Sequence, residues 1–85
     1  MHDLDEIAAY LANESETLAK RVINNLEGFC FVLGIMPELG RPSEIVGVRK
    51  LVTTRYRYKI IYEIRTAKKE VVILRVYHST RKMQY

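Results

Sequence analysis

A single cysteine among 85 residues leaves no internal disulfide to form, and the chain also has no tryptophan, only two prolines and only four glycines. One thiol and two imidazoles fall short of the about four N, S or O ligands of a tetrahedral zinc centre unless carboxylates are recruited, and no ligand spacing marks such a centre. Neither a metal nor a cofactor is expected. No run approaches the roughly 20 apolar residues of a membrane span, and no basic-then-apolar leader opens the sequence. The expected compartment is therefore the cytoplasm, with no membrane partner. GxxxxGK[ST], GxSxG, HExxH and CxxC are all missing, so phosphate-loop, hydrolase-elbow, zincin and dithiol chemistry lack their signatures.

What is present is a globular composition, 48% hydrophobic and 28% charged, in a length that holds one domain, 1–85. Stability at this size is about 4–13 kcal/mol, taking roughly 0.05–0.15 kcal/mol per residue. Charge is unevenly placed. Residues 1–40 carry Lys20 and Arg21 against seven acids, a net of −5, whereas residues 41–85 carry twelve Lys and Arg against three acids, a net of +9. A basic second half calls for an anionic partner, either a nucleic acid or an acidic protein segment.

From Asp3 to Asn13 the apolar residues Leu4, Ile7, Ala8 and Leu11 recur at three and four, the spacing of one helix face. Asp3 followed by Glu6 has the form of a capping box, and Ser15 is placed to cap a second helix whose face runs through Leu18, Val22, Ile23, Leu26, Phe29, Cys30 and Leu33. Cys30 on that stripe reads as a buried small hydrophobe. The segment Met36–Pro42, with its two prolines and Gly40, ends the helical hairpin. Beyond it the period becomes two, predicting strands over Val48–Thr54, Tyr58–Arg65 and Glu70–Tyr77, the last two joined by Thr66–Lys69. Tyr58, Ile60, Tyr62 and Ile64 should face the helices, as should Val72, Leu74 and Val76. Lys59, Arg65, Arg75 and Tyr77 should stand on the open side. The fold class is α+β, an N-terminal helical hairpin packed on a small C-terminal antiparallel sheet.

The terminal run Arg75–Tyr85 collects cations, the imidazole of His78 and two phenols within eleven positions. A metal-free ribonuclease needs an acid or base, which His78 could supply, cations for the phosphate, which Arg75 and Arg81 could supply, and a stacking or proton-donating phenol such as Tyr85. If the last strand continues past Tyr77, alternation sends His78 to the helix-facing side instead.

Asp3–Ile7, Pro37–Pro42, Val48–Leu51, Tyr56–Tyr62 and Val72–Arg81, in that order and spacing, resemble successive blocks of the RelE/ParE toxin superfamily across nearly the whole chain. The resemblance implies the toxin of a type II toxin–antitoxin, or plasmid stabilisation, system, held in a heteromeric complex by a cognate antitoxin. RelE-like members are ribosome-dependent mRNA interferases and ParE-like members inhibit DNA gyrase. The proline-glycine block and the ending Arg75-Val76-Tyr77-His78-Ser79-Thr80-Arg81 look more like the ParE side, implying target contact through Arg75, His78 and Arg81. The RelE alternative implies a catalytic set of Lys50, Lys59, His78, Arg81 and Tyr85, with Val52 standing where a further lysine is expected. Relatives usually open with a strand that this sequence does not show. That difference makes an antitoxin-binding, non-toxic remnant a third reading, or leaves a partner to supply the strand by edge pairing.

Overall fold

The computed structural model describes residues 2–79. Helix α1 (His2–Ala12) and helix α2 (Glu16–Ile35) form the expected hairpin, and α2 starts where the sequence placed its cap. Ser15 has extended backbone, with φ −162° and ψ 118°, and its hydroxyl accepts the Leu18 N–H at 3.1 Å, satisfying one of the free donors of the first turn. Ala19, Val22, Leu26 and Leu33 then form the buried stripe of α2.

One 3₁₀ turn at Pro37–Leu39 ends the hairpin and feeds a sheet of four antiparallel strands in sequential order: β1 (Arg41–Pro42), β2 (Val48–Val52), β3 (Tyr58–Arg65) and β4 (Glu70–His78). The sequence predicted three strands. The fourth arises because the chain leaving Gly40 runs back along β2, pairing Arg41 with Lys50 and Pro42 with Arg49. Proline is tolerated there because β1 is an edge strand whose missing N–H costs the ladder nothing.

The helices cover one face of the sheet. Val22, Leu26 and Leu33 pack with Tyr58, Ile60, Tyr62 and Val76 in one core cluster, against which Ile64 also lies, so β3 presents the predicted face. On β4 the predicted faces hold only in part. Ile61 pairs with Arg75 but Tyr62 pairs with Ile73, leaving Leu74 as the extra residue of a β-bulge. The bulge reverses the alternation at that point. Val71 and Ile73, expected outside, pack on the helix-side core, while Leu74, expected inside, is 40% exposed. Val72 pairs with the outward Glu63, and only Val76 of the predicted inner set keeps its place.

A second correction concerns Asp3. The helix begins at His2, so Asp3 lies within the first turn and does not cap it. Its Oδ2 instead accepts the Val76 N–H at 2.8 Å and the Arg75 Nε–H at 2.9 Å. β4 is the far edge of the sheet, and the Asp3 carboxylate satisfies a backbone donor there that no neighbouring strand reaches.

Two tyrosine-centred contacts fix the loops. The buried Tyr62 hydroxyl donates to the Pro37 carbonyl at 2.6 Å and accepts the Gly40 N–H at 2.8 Å. Gly40 must be glycine because a Cβ there would lie 2.5 Å from the same hydroxyl and 2.8 Å from the Lys50 carbonyl. At the other end of the sheet the β2–β3 connection is closed by Thr53, which is fully buried. Its N–H donates to the Tyr58 carbonyl at 2.8 Å and its Oγ1 accepts the Tyr58 N–H at 3.0 Å.

Candidate target-binding cleft and outer face

The register of β2, β3 and β4 arranges the outward residues in cross-strand rows. One row is Lys50, Ile61 and Arg75; the next is Val52, Lys59 and Tyr77. The face predicted to be open and basic is basic, but its middle is not open. Val48, Ile61 and Tyr77 form a second, smaller buried cluster on this side of the sheet. Ile61 sits between Lys50 and Arg75 in its row, so the aliphatic stems of two long cationic side chains flank it.

Arg75 does not stay on that face. Its guanidinium turns around the β4 edge to Asp3, joining the basic half of the chain to the acidic half. His78 is placed as alternation requires once β4 extends past Tyr77. It stands directly across from Tyr58 on the helix side, the two rings meeting edge to face with centroids 5.2 Å apart and planes at 87°. Burial, and to a lesser degree the proximity of Tyr10, pushes the Tyr58 hydroxyl above the ordinary phenol range. It therefore remains a neutral donor at physiological pH.

Between α1 and the last turn of β4 these residues line a cleft of about 690 Å³, with Asp3, Glu6 and Tyr10 on the helix wall and Tyr58, Arg75 and His78 on the strand wall. The cleft offers a guanidinium oriented by a carboxylate, an imidazole held against an aromatic ring, and an apolar floor from Ile7 and Val76. With Asp3 and Glu6 beside the one guanidinium, the set suits a peptide or protein surface that offers polar hydrogen-bonding groups next to an apolar one.

The site residues expected from sequence therefore separate into groups. Arg75 and His78 share the cleft. Lys50 and Lys59 stand in adjacent rows of the outer face, away from His78. Arg81 and Tyr85 lie outside the described residues.

Three contributions were not foreseen from the sequence. Asp3 orients Arg75. Arg49 donates to the Gly40 carbonyl at 2.6 Å and helps Tyr62 hold the loop after α2. Arg57, in the β2–β3 connection, has φ 56°, a left-handed conformation that the absence of glycine or asparagine there gave no reason to expect. Cys30 is half-buried, and burial followed by the nearby Glu27 carboxylate raises its thiol pKa, so the protonated and unreactive form prevails. No helix among the described residues is long and apolar enough to cross a membrane.

Comparison with known proteins gives one family. The family described as ParE toxin of type II toxin-antitoxin system, parDE, matches residues 1–83. No curated protein matches the chain.

Proposed function

The chain belongs to the ParE toxin family of type II toxin–antitoxin systems, and from that premise we propose that it inhibits DNA gyrase in the cytoplasm and is neutralised by a cognate antitoxin. Inhibition in this reading is binding, without bond cleavage by the toxin. Arg75 and His78, with Arg81, contact the target, while the helical hairpin and the sheet hold the antitoxin.

The observation that carries the reading is the shared cleft, in which Asp3 fixes the Arg75 guanidinium at 2.9 Å beside His78. A guanidinium held in one orientation loses less rotamer entropy on meeting a partner than a mobile one does. The expected result is that Arg75→Ala and His78→Ala relieve growth arrest while antitoxin binding persists. Retention of full toxicity by both variants would remove these side chains from the target contact.

One observation favours a second reading, ribosome-dependent mRNA cleavage. Lys50 and Lys59 point from the same face of the sheet, as two cations gripping a phosphate would. Inducible expression distinguishes the two. Arrest with DNA-damage signalling, intact messages and lost supercoiling activity of gyrase in vitro supports gyrase. Codon-phased message cuts support cleavage and bring Lys50, Lys59, His78, Arg81 and Tyr85 forward. Normal growth with soluble protein supports an antitoxin-binding remnant.

A further inference from the structure

The β2–β3 connection runs from Thr53 to Tyr58, where it meets the cleft, and combines three features. It concentrates charge of one sign, with Arg55 and Arg57 both exposed in the connection and Lys59 following on the outer face of β3. No salt bridge involves Arg55 or Arg57 among the described residues, and the nearest acid along β3, Glu63, is engaged by Arg65 at 2.7 Å. It is also rigid. Thr53 closes its base with two hydrogen bonds to Tyr58, the Arg57 carbonyl accepts the Ser79 N–H at 2.7 Å, and the Arg55 guanidinium rests 5.7 Å from the centroid of the Tyr56 ring. Finally, Arg57 is held at φ 56°, where glycine is free of strain and an arginine is not.

A left-handed residue closing a hairpin is most cheaply glycine or asparagine, so the arginine there costs stability, as Lys69 at φ 51° does in the β3–β4 turn. Like-charged Arg55 and Arg57 in the same turn add repulsion that an anion would relieve. Tyr56 packs on the helix-side core and is not free to stack on an unpaired base, which argues against a single-stranded ligand. The connection carries its cations at one end of the sheet, where they can meet B-form DNA, which offers about one phosphate charge per 1.7 Å of helix axis, whereas side chains cannot enter the deep, narrow major groove of A-form RNA.

We propose that the β2–β3 hairpin is a duplex-DNA contact, with Arg55, Arg57 and Lys59 neutralising backbone phosphates and no base being read. The inference does not depend on gyrase as the target, and it is tested without gyrase.

The test is fluorescence anisotropy of the purified full chain with a labelled 20-base-pair DNA duplex of arbitrary sequence, from 50 to 200 mM salt. Three phosphate contacts predict a slope of log affinity against log salt of about −2.7, from about −0.9 per contact. Arg57→Gly is the decisive variant because it removes the cation and the strain together. It should melt no lower than the wild type, bind about tenfold more weakly at 50 mM salt, and lower the slope by about 0.9. Arg55→Ala should lose the same slope, and Lys20→Ala on α2 should lose none. Undiminished binding by Arg57→Gly overturns the proposal. So does equal weakening by Lys20→Ala, which would mean diffuse charge, and so does equal affinity for an RNA duplex of the same sequence.

Discussion

Replacing Tyr62 by phenylalanine removes one oxygen and nothing else, and that oxygen joins the end of the helical hairpin to the sheet. It donates to the Pro37 carbonyl, 25 residues away in sequence, and accepts from the buried Gly40 N–H, 22 residues away. Without it a buried N–H is left unsatisfied, at about 1–3 kcal/mol, and a carbonyl loses a bond of roughly 1 kcal/mol. The expected loss for Tyr62→Phe is thus about 2–4 kcal/mol, a large part of the stability of a domain this small. At about 4–8 °C per kcal/mol for a chain of this length, Tm should fall by roughly 8–32 °C. Gly40→Ala attacks the same contact from the other side, because its Cβ would meet the Tyr62 hydroxyl at 2.5 Å. It should cost less in the Tyr62→Phe background than in the wild type, since the nearest clashing atom is then gone, though the Lys50 carbonyl at 2.8 Å still resists it. Urea unfolding of the two single variants and the double variant measures the cycle. A Tyr62→Phe protein within about 0.5 kcal/mol of the wild type, or strict additivity, would refute the reasoning.

Other expectations come from the same contacts. Asp3→Ala leaves the Val76 N–H without its acceptor and should cost about 1–3 kcal/mol, whereas Asp3→Asn keeps an acceptor and should cost less, as chemical denaturation would report. Leu26→Ala and Leu33→Ala empty fully buried positions and should each cost about 2–5 kcal/mol by the same assay. Tyr58, with its pKa raised by burial, contributes stability that is complete below the phenol's ordinary pKa of about 10 and is lost as pH rises through its folded value. Tyr58→Phe should therefore flatten the alkaline fall in urea midpoint above about pH 10, and an unchanged profile would contradict the assignment.

The parts of the fold legible in the sequence are those where one face of an element is apolar and the other is not. The α2 stripe and the alternation of Tyr58, Ile60, Tyr62 and Ile64 fixed their burial correctly because a shift of one residue would expose them all. In β4 the run Val71-Val72-Ile73-Leu74 is apolar at every position, so either phase looks equally good and the bulge left no trace in the pattern. The Asp3–Glu6 spacing did mark a carboxylate with a structural task, but local spacing could not reveal a partner 72 residues away. The Arg57 conformation was hidden for the opposite reason: the residue that usually announces a left-handed turn is not there. Within the candidate site, placing His78 on the helix side needed only alternation, whereas the turn of Arg75 around the sheet edge needed the bulge, α1 and Asp3 together.

The Asp3–Arg75 contact also sets a clock. A ribosome adding about 5–20 residues each second makes Asp3 about 4–14 s before the arginine that completes its contact, 72 positions later. During that interval the strand that forms the other wall of the cleft does not yet exist. The cleft thus closes only after β4 has been made. The helices are therefore made before the far wall of the cleft exists, so the face they offer to a partner precedes the cleft in time.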